Sequence, residues 1–348
     1  MSTTGSSNPE YVNARVRARR AALFSDDEYR KLVRMTPSEI ARYMEESEYE
    51  REINELGSRH SGVDLIEYSL NRNLAKHFDD LLEFSEGQMY DLIARYLRKF
   101  DAWNVKTVLR GVYSGAGRDS IETDLIRAGE FDESFLDRLL EASTIEDVVT
   151  TLDGTIFGDP LAAAFEDFEE TDVLVPLENA VDRIFYEELL AELPSSEAID
   201  LYREFLEAEI DFRNARNALR LARSGADIDP AEYFIEGGRL FDARELEGLI
   251  QSPDQLVSAI RDSSYGRELS EPLDELESAD SLITFEHALE SVLLKYSRRL
   301  GNVYPLSICP VVAYILMKER EVENIRAIAR GREAGLSEAE IEQELVIL

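Results

Sequence analysis

One ten-residue pattern, met four times, limits what this chain can fold into. Written as an acid, two free positions, Asn, a small or branched apolar residue, a base, three free positions and Arg, it is matched first by Glu10, Asn13, Ala14, Arg15 and Arg19. It recurs as Asp101, Asn104, Val105, Lys106 and Arg110, as Asp211, Asn214, Ala215, Arg216 and Arg220, and as Glu321, Asn324, Ile325, Arg326 and Arg330. The acids lie 91, 110 and 110 residues apart. That period exceeds the roughly 20–50 residues of solenoid repeats, so each copy is expected to be a small domain and not one stacked hairpin.

Two other markers keep step with the pattern. Glu67, Glu178 and Glu286 each follow an apolar residue and stand two positions before a Ser or Ala and three before a Leu or Val; they precede the next motif acid by 34, 33 and 35 residues. A third marker follows the motif as "LFSDDEYRKLV" from Leu23, "EFDESFLDRLL" from Glu130 and "LFDARELEGLI" from Leu240, with a stub, "GLSEAEIEQEL", from Gly335. The expected organisation is a flexible tail over 1–9 and repeats over 10–100, 101–210 and 211–348, the last containing the closing motif helix.

The motifs fall in long helical stretches, and the fold class expected is all-α. Ser85 reads as an N-cap with Gln88 completing a capping box, and Gly111 and Gly115 end that pattern. Pro194, Ser195 and Ser196 precede a second stretch that Gly225 stops. Pro310 suits the first turn of a third, where its missing N–H would be unpaired anyway. The one weak strand candidate runs from Val148 to Phe157. Placed on a helical wheel at about 100° per residue, the motif acid falls among apolar positions and the two bases on the other side. A carboxylate on a buried face is costly unless it is paired or accepts hydrogen bonds, so acid and Asn are expected to form a satisfied network that fixes how neighbouring helices meet, capping free N–H groups. The rival reading makes the acids ligand or ion sites.

The 38 bases and 72 acids leave a formal charge of −34, and only six of the bases are lysines. Nucleic-acid binding rests on neutralising phosphates with Lys and Arg, so this surface argues against it, and equally against adhesion to an anionic leaflet. Carboxylates at such density repel in dilute salt but are screened where the Debye length falls to roughly 3 Å at molar salt, which points to a salt-loaded cytoplasm; an acidic binding surface is the alternative. A single cysteine, Cys309, permits no internal disulfide and suits a reducing interior. The most apolar run, 303–317, has 15 residues with two prolines, short of the roughly 20 a membrane-spanning helix needs. Free of charge, it is either buried on all sides or pressed to a partner.

No catalytic, cofactor or metal residues emerge. The Gly-rich "YSGAGRDS" at 113–120 lacks the lysine of a phosphate loop. His60, His77 and His287 lack the spacing of a zinc helix. Cys309 has no visible base, "DIDP" at 227–230 lacks the glycine of a calcium loop, and the acids of 165–172 read as a solvated face.

The acid-flanked copies of the motif, the opening "YVNARVRARRAALF" and the ending "KEREVENIRAIARGREAGLS" together resemble the C subunit of the archaeal A-type ATP synthase, a family related to the d subunit of V-type ATPases. The similarity runs over almost the whole chain; the motifs mark a scaffold and no catalytic site. This resemblance implies three similar helical domains arranged as a funnel with pseudo-threefold symmetry. It implies a non-catalytic rotor subunit, one copy per complex, that sits on the membrane proteolipid ring and takes the tip of the central stalk. Ion flow would thereby be coupled to ATP synthesis or hydrolysis, with ATP bound elsewhere. Such a subunit is peripheral, held at the cytoplasmic face of the membrane by protein partners. From the residues alone the expectation stops at a triplicated helical adaptor, with a free-standing helical scaffold as the alternative and an enzyme with a hidden site as a third reading.

Overall fold

The computed structural model describes residues 7–191, 193–224, 233–250, 252–278 and 283–346. The expected all-α class holds: the described residues contain no strand. In chain order the helices are α1 (Pro9–Arg20), α2 (Asp26–Leu32), α3 (Pro37–Glu45), α4 (Glu50–Leu56), α5 (Gly62–Phe84), α6 (Gln88–Leu97) and α7 (Lys99–Ser114). There follow α8 (Arg118–Thr123), α9 (Glu133–Leu140), α10 (Ile145–Thr151), α11 (Gly158–Thr171), α12 (Val175–Ala191) and α13 (Glu197–Ser224). The chain then forms α14 (Ala243–Ile250), α15 (Pro253–Asp262), α16 (Gly266–Ser278), α17 (Ile283–Val303), α18 (Cys309–Glu333) and α19 (Glu338–Gln343). One succession recurs, three shorter helices, a long one carrying a marker glutamate, then the motif helix: α2 to α5 before α7, α9 to α12 before α13, and α14 to α17 before α18.

Local chemistry accounts for many of the boundaries. Thr36, Thr144 and Ser337 open α3, α10 and α19 with capping boxes, each hydroxyl receiving the N–H of the acid three residues on. Pro310 stands in the first turn of α18, as expected. Gly115 and Gly335 close α7 and α18 in the left-handed conformation, with φ of 71° and 77°. In both, the next residue's N–H turns back to the carbonyl of a helical glycine, Ala116 to Gly111 and Leu336 to Gly331.

Several expectations are corrected. Val148 to Phe157 is no strand: Thr144 and Asp147 cap a helix through Thr151, and turns follow, so the capping chemistry outweighs the β-branched residues. Ser85 does not open a helix; its hydroxyl donates back to the Leu81 carbonyl at the end of α5, and Gly87, with φ of 57°, precedes α6. Gly111 lies inside α7, leaving Gly115 to end it, and Arg98 interrupts the expected single helix between α6 and α7. Gly225, the "DIDP" segment and residues 1–6 of the tail lie outside the described residues; Pro9 already belongs to α1.

Two compact units make up the chain. One comprises Met1–Asn104, Asp119–Glu133 and Ser297–Leu348, the other Val105–Arg118 and Ser134–Tyr296. In the first, α18 runs between α1 and α5, with α2 and α3 against it, so segments from both chain ends share one core around Val12, Ile66, Leu70, Ile315 and Ile325. In the second, α11 lies along α12, and α13 packs on α14 and α15 around Phe212, Leu219, Leu256 and Leu269. The acids of 165–172 are exposed. Among the described residues no helix is long and apolar enough to cross a membrane.

Candidate functional site

Three of the four motifs build the same clasp. Asn104, Asn214 and Asn324 are almost wholly buried, and each treats one distant residue as a β-bridge partner would. Asn104 donates to the Ile126 carbonyl and receives the Ile126 N–H, both at 2.8 Å. Asn214 does the same with Ile235, at 2.8 and 3.0 Å, and Asn324 with Val346, at 3.1 and 3.2 Å. Leu125-Ile126, Phe234-Ile235 and Leu345-Val346 are buried apolar pairs outside any helix, so their backbone groups need partners that the Asn amide supplies.

The acid closes a second point of the same clasp. Asp101 accepts the N–H groups of Glu130 and Phe131 at 2.7 and 3.1 Å. Asp211 accepts those of Arg239 and Leu240 at 2.7 and 2.8 Å, and the Tyr265 hydroxyl at 2.9 Å. Glu321 accepts the Phe24 N–H at 2.6 Å, from the other end of the sequence. The receiving segments are the markers at Glu130, Leu240 and Leu23. Each motif helix therefore grips the chain just ahead of α9, α14 or α2.

Close approach dictates glycine beside the aspartates. A Cβ on Gly129 would overlap the Asp101 carboxylate, and one on Gly238 would overlap that of Asp211. Glu321, longer by one methylene, accepts the Phe24 N–H where the chain has Ala21, Ala22 and Leu23 and no glycine. Gly129→Ala is expected to cost about 1–3 kcal/mol through overpacking. Adding Asp101→Ala should recover part of that loss, because the clash partner is gone. Strictly additive losses in a double-mutant cycle of denaturant melts would break this pairing.

Burial pushes Asp101 up to about 7, against the opposing pull of the Glu130 and Phe131 N–H groups. Between about pH 4 and 7 the folded chain thus holds a proton that the unfolded chain has released, so this group makes stability fall as pH rises through that window. Asp101→Asn should flatten the slope in thermal melts over that range; an unchanged slope would refute the assignment. Burial likewise raises Asp211.

The bases occupy the opposite face, as the wheel requires, and there they meet the marker helices. Arg110 pairs with Glu178, Arg220 pairs with Glu286 through two bonds of 2.7 and 2.6 Å, and Arg330 pairs with Glu67. The base five residues after the acid reaches one turn further along: Lys106 to Asp182, and Arg326 to both Glu67 and Asn71. Arg216 lies in the field of Glu286 and Glu290. Marker positions i and i+4 share a helix face, so the two bases of a motif meet two groups of one marker helix.

The first motif departs. Glu10 is exposed in the opening turn of α1, and Asn13 donates to the Pro9 and Ser307 carbonyls at 2.9 and 3.1 Å. Arg15 stacks over the Phe84 ring, and Arg19 pairs with Asp80. The cause is spacing: Leu23 follows Glu10 by only 13 residues, leaving no intervening segment for Asn13 to hold, and Phe24 is already taken by Glu321.

Sequence reasoning missed the gripped partners. Their signal is present: an apolar pair ending 21 or 22 residues after each Asn, and a glycine 27 or 28 after each Asp. It also missed the buried Lys318, whose ammonium bonds Glu321 at 2.7 Å and the Tyr49 hydroxyl at 3.0 Å. Cys309 is buried and its thiol pushed up by desolvation, and His77 bonds Tyr314. No group of three metal-ligating side chains gathers among the described residues. This chemistry joins helices.

The chain matches known proteins along its length. The model of the family described as ATP synthase (C/AC39) subunit matches residues 12–344. The C subunit of the A-type ATP synthase of Haloferax volcanii is 71% identical over 348 residues, covering 100% of both chains. Its counterpart in Haloquadratum walsbyi is 66% identical, covering 99% of this chain and 100% of its own. That of Methanosarcina mazei is 35% identical, covering 99% and 94%.

Proposed function

Because the chain belongs to the ATP synthase (C/AC39) subunit family, we propose that it is the rotor piece linking the membrane proteolipid ring to the central stalk. It would be peripheral, on the cytoplasmic face, and present once per complex. Repeats over 10–100, 101–210 and 211–348 would make up the subunit. Its work is mechanical: ion flow turns the ring, and this subunit passes the turning to the head where ATP is made or hydrolysed.

The observation that carries this reading is the threefold recurrence of the clasp. A part that transmits torque must resist shear between its helices. Each of α7, α13 and α18 is fixed at two levels, through Asn to a β-like pair of bonds with the chain beyond it and through the acid to backbone N–H groups, which for α18 belong to Phe24 near the other end of the sequence. On its other face, charged groups tie it to a marker helix. Buried hydrogen bonds of this kind fix geometry more than they add stability.

A tagged copy of the chain, recovered from detergent-solubilised membranes at molar salt, should bring proteolipid and stalk subunits with it. Recovery of the chain alone would overturn the rotor reading in favour of a free-standing helical scaffold.

A further inference from the structure

One buried carboxylate of the first unit lacks the partners that its counterparts have. Glu67 meets two arginines, Asp101 and Asp211 each accept two backbone N–H groups, and Glu321 holds the Lys318 ammonium. Glu52, on α4 and only 2% exposed, accepts one neutral donor, the Asn73 amide at 2.9 Å, and no ion pair reaches it among the described residues. Lys318 and Arg51 feel its charge, but both are committed elsewhere. Lys318 bonds Glu321 at 2.7 Å and the Tyr49 hydroxyl at 3.0 Å, and exposed Arg51 pairs with Glu55 at 2.8 Å. Lys318 and Glu321 cancel each other, which leaves the charge of Glu52 without a counterion. The same helix interface holds two buried oxygens with no hydrogen bond. Asn73, on α5, uses its amide hydrogens on Glu52 and on the Glu48 carbonyl, each at 2.9 Å, and its own carbonyl oxygen Oδ1 has no partner. Ser69 stands one turn before it on the same face of α5, wholly buried, and its hydroxyl has none either.

We propose that Glu52, Asn73 and Ser69 form a binding site for one sodium or potassium ion where α4 packs on α5. Buried polar groups are as a rule hydrogen-bonded, and a buried charge is paired or binds a metal ion. A water molecule would satisfy the two neutral oxygens and leave the charge. One alkali cation answers all three groups: it brings a single positive charge, and carboxylate, carbonyl and hydroxyl oxygens are the ligands that such ions take. A divalent ion would bring one charge too many for one carboxylate, and the described residues gather no set of three His, Cys, Asp or Glu for a transition metal. The ion ties α4 to α5, the helix whose Glu67 and Asn71 receive Arg326 of α18. Because it binds the folded chain and not the unfolded one, stability depends on which salt is present as well as on how much.

The test is thermal melting of the full-length chain in equal molar concentrations of sodium, potassium and choline chloride, for wild type, E52Q and S69A. The three salts screen surface charge alike, whereas choline is too large for a pocket of three side-chain oxygens. Wild type is expected to melt about 5–10 °C higher in at least one alkali chloride than in choline chloride, the shift that mass action gives at roughly 100 times the dissociation constant. The salt that gives the larger shift names the ion. E52Q keeps the shape of the side chain and removes its charge, and should abolish that difference; S69A, which removes a neutral ligand, should shrink it. A difference as large in E52Q or S69A as in wild type would be general salt action and would overturn the site. So would a wild type that melts alike in all three salts, the result expected if a proton holds Glu52 neutral.

Discussion

Replacing Glu321 by alanine is expected to lower the stability of its unit by about 3–5 kcal/mol, the range for removing one partner of a buried ion pair. The carboxylate holds three donors: the Lys318 ammonium at 2.7 Å, the Tyr49 hydroxyl at 2.8 Å and the Phe24 N–H at 2.6 Å. Neither Lys318 nor Glu321 reaches solvent to any useful extent, so alanine strands a cation in the core. Burial already draws the Lys318 pKa down, with Glu321 as the chief opposing influence. The ammonium also sits 4.2 Å from the centre of the Tyr49 ring, which softens the loss without removing it. K318M/E321Q, which removes the cation and keeps an acceptor for Phe24, should cost less than Glu321→Ala alone. Denaturant melts read at the transition of this unit decide the matter, and an unchanged midpoint for Glu321→Ala would contradict it.

Asp211→Ala should cost about 3 kcal/mol in the other unit. Two backbone N–H groups, of Arg239 and Leu240, and the Tyr265 hydroxyl lose their acceptor together. Each stranded buried donor costs about 1–3 kcal/mol, and the sum is held down because burial raises Asp211 and so makes its charge expensive to keep. Asp211→Asn keeps one acceptor oxygen and should fall between. Equal melting of wild type and Asp211→Ala would remove the acid from any structural role.

The parts of the fold legible beforehand were those written as local periodicity. Long helices, the buried face of Asp101, Asp211 and Glu321, and the opposite placing of the bases follow from residue spacing within one helix. What could not be read was pairing across distance. The apolar pair ending 21 or 22 residues after Asn104, Asn214 and Asn324 gains its meaning as a gripped segment only from the fold, and Glu67 meets Arg326 and Arg330 only because α5 and α18 lie together. The first motif shows the converse limit. Glu10 and Asn13 match the pattern residue for residue, yet the shorter spacing to Leu23 removes the segment that would make them act alike. The weak strand at Val148 failed for a local reason, since a Thr144–Asp147 capping box outweighs a pair of valines.

Glu321 reaching back to Phe24, across 297 positions, has a consequence for biosynthesis. At roughly 5–20 residues per second the ribosome needs about 15–60 s to deliver the second group after the first has emerged. Throughout that interval Leu32, Ile66 and Leu70, destined to lie in the shared core, have no α18 to cover them. Nascent chains stalled before residue 309 should therefore depend on chaperones, and release of the last 40 residues should be the event that frees them.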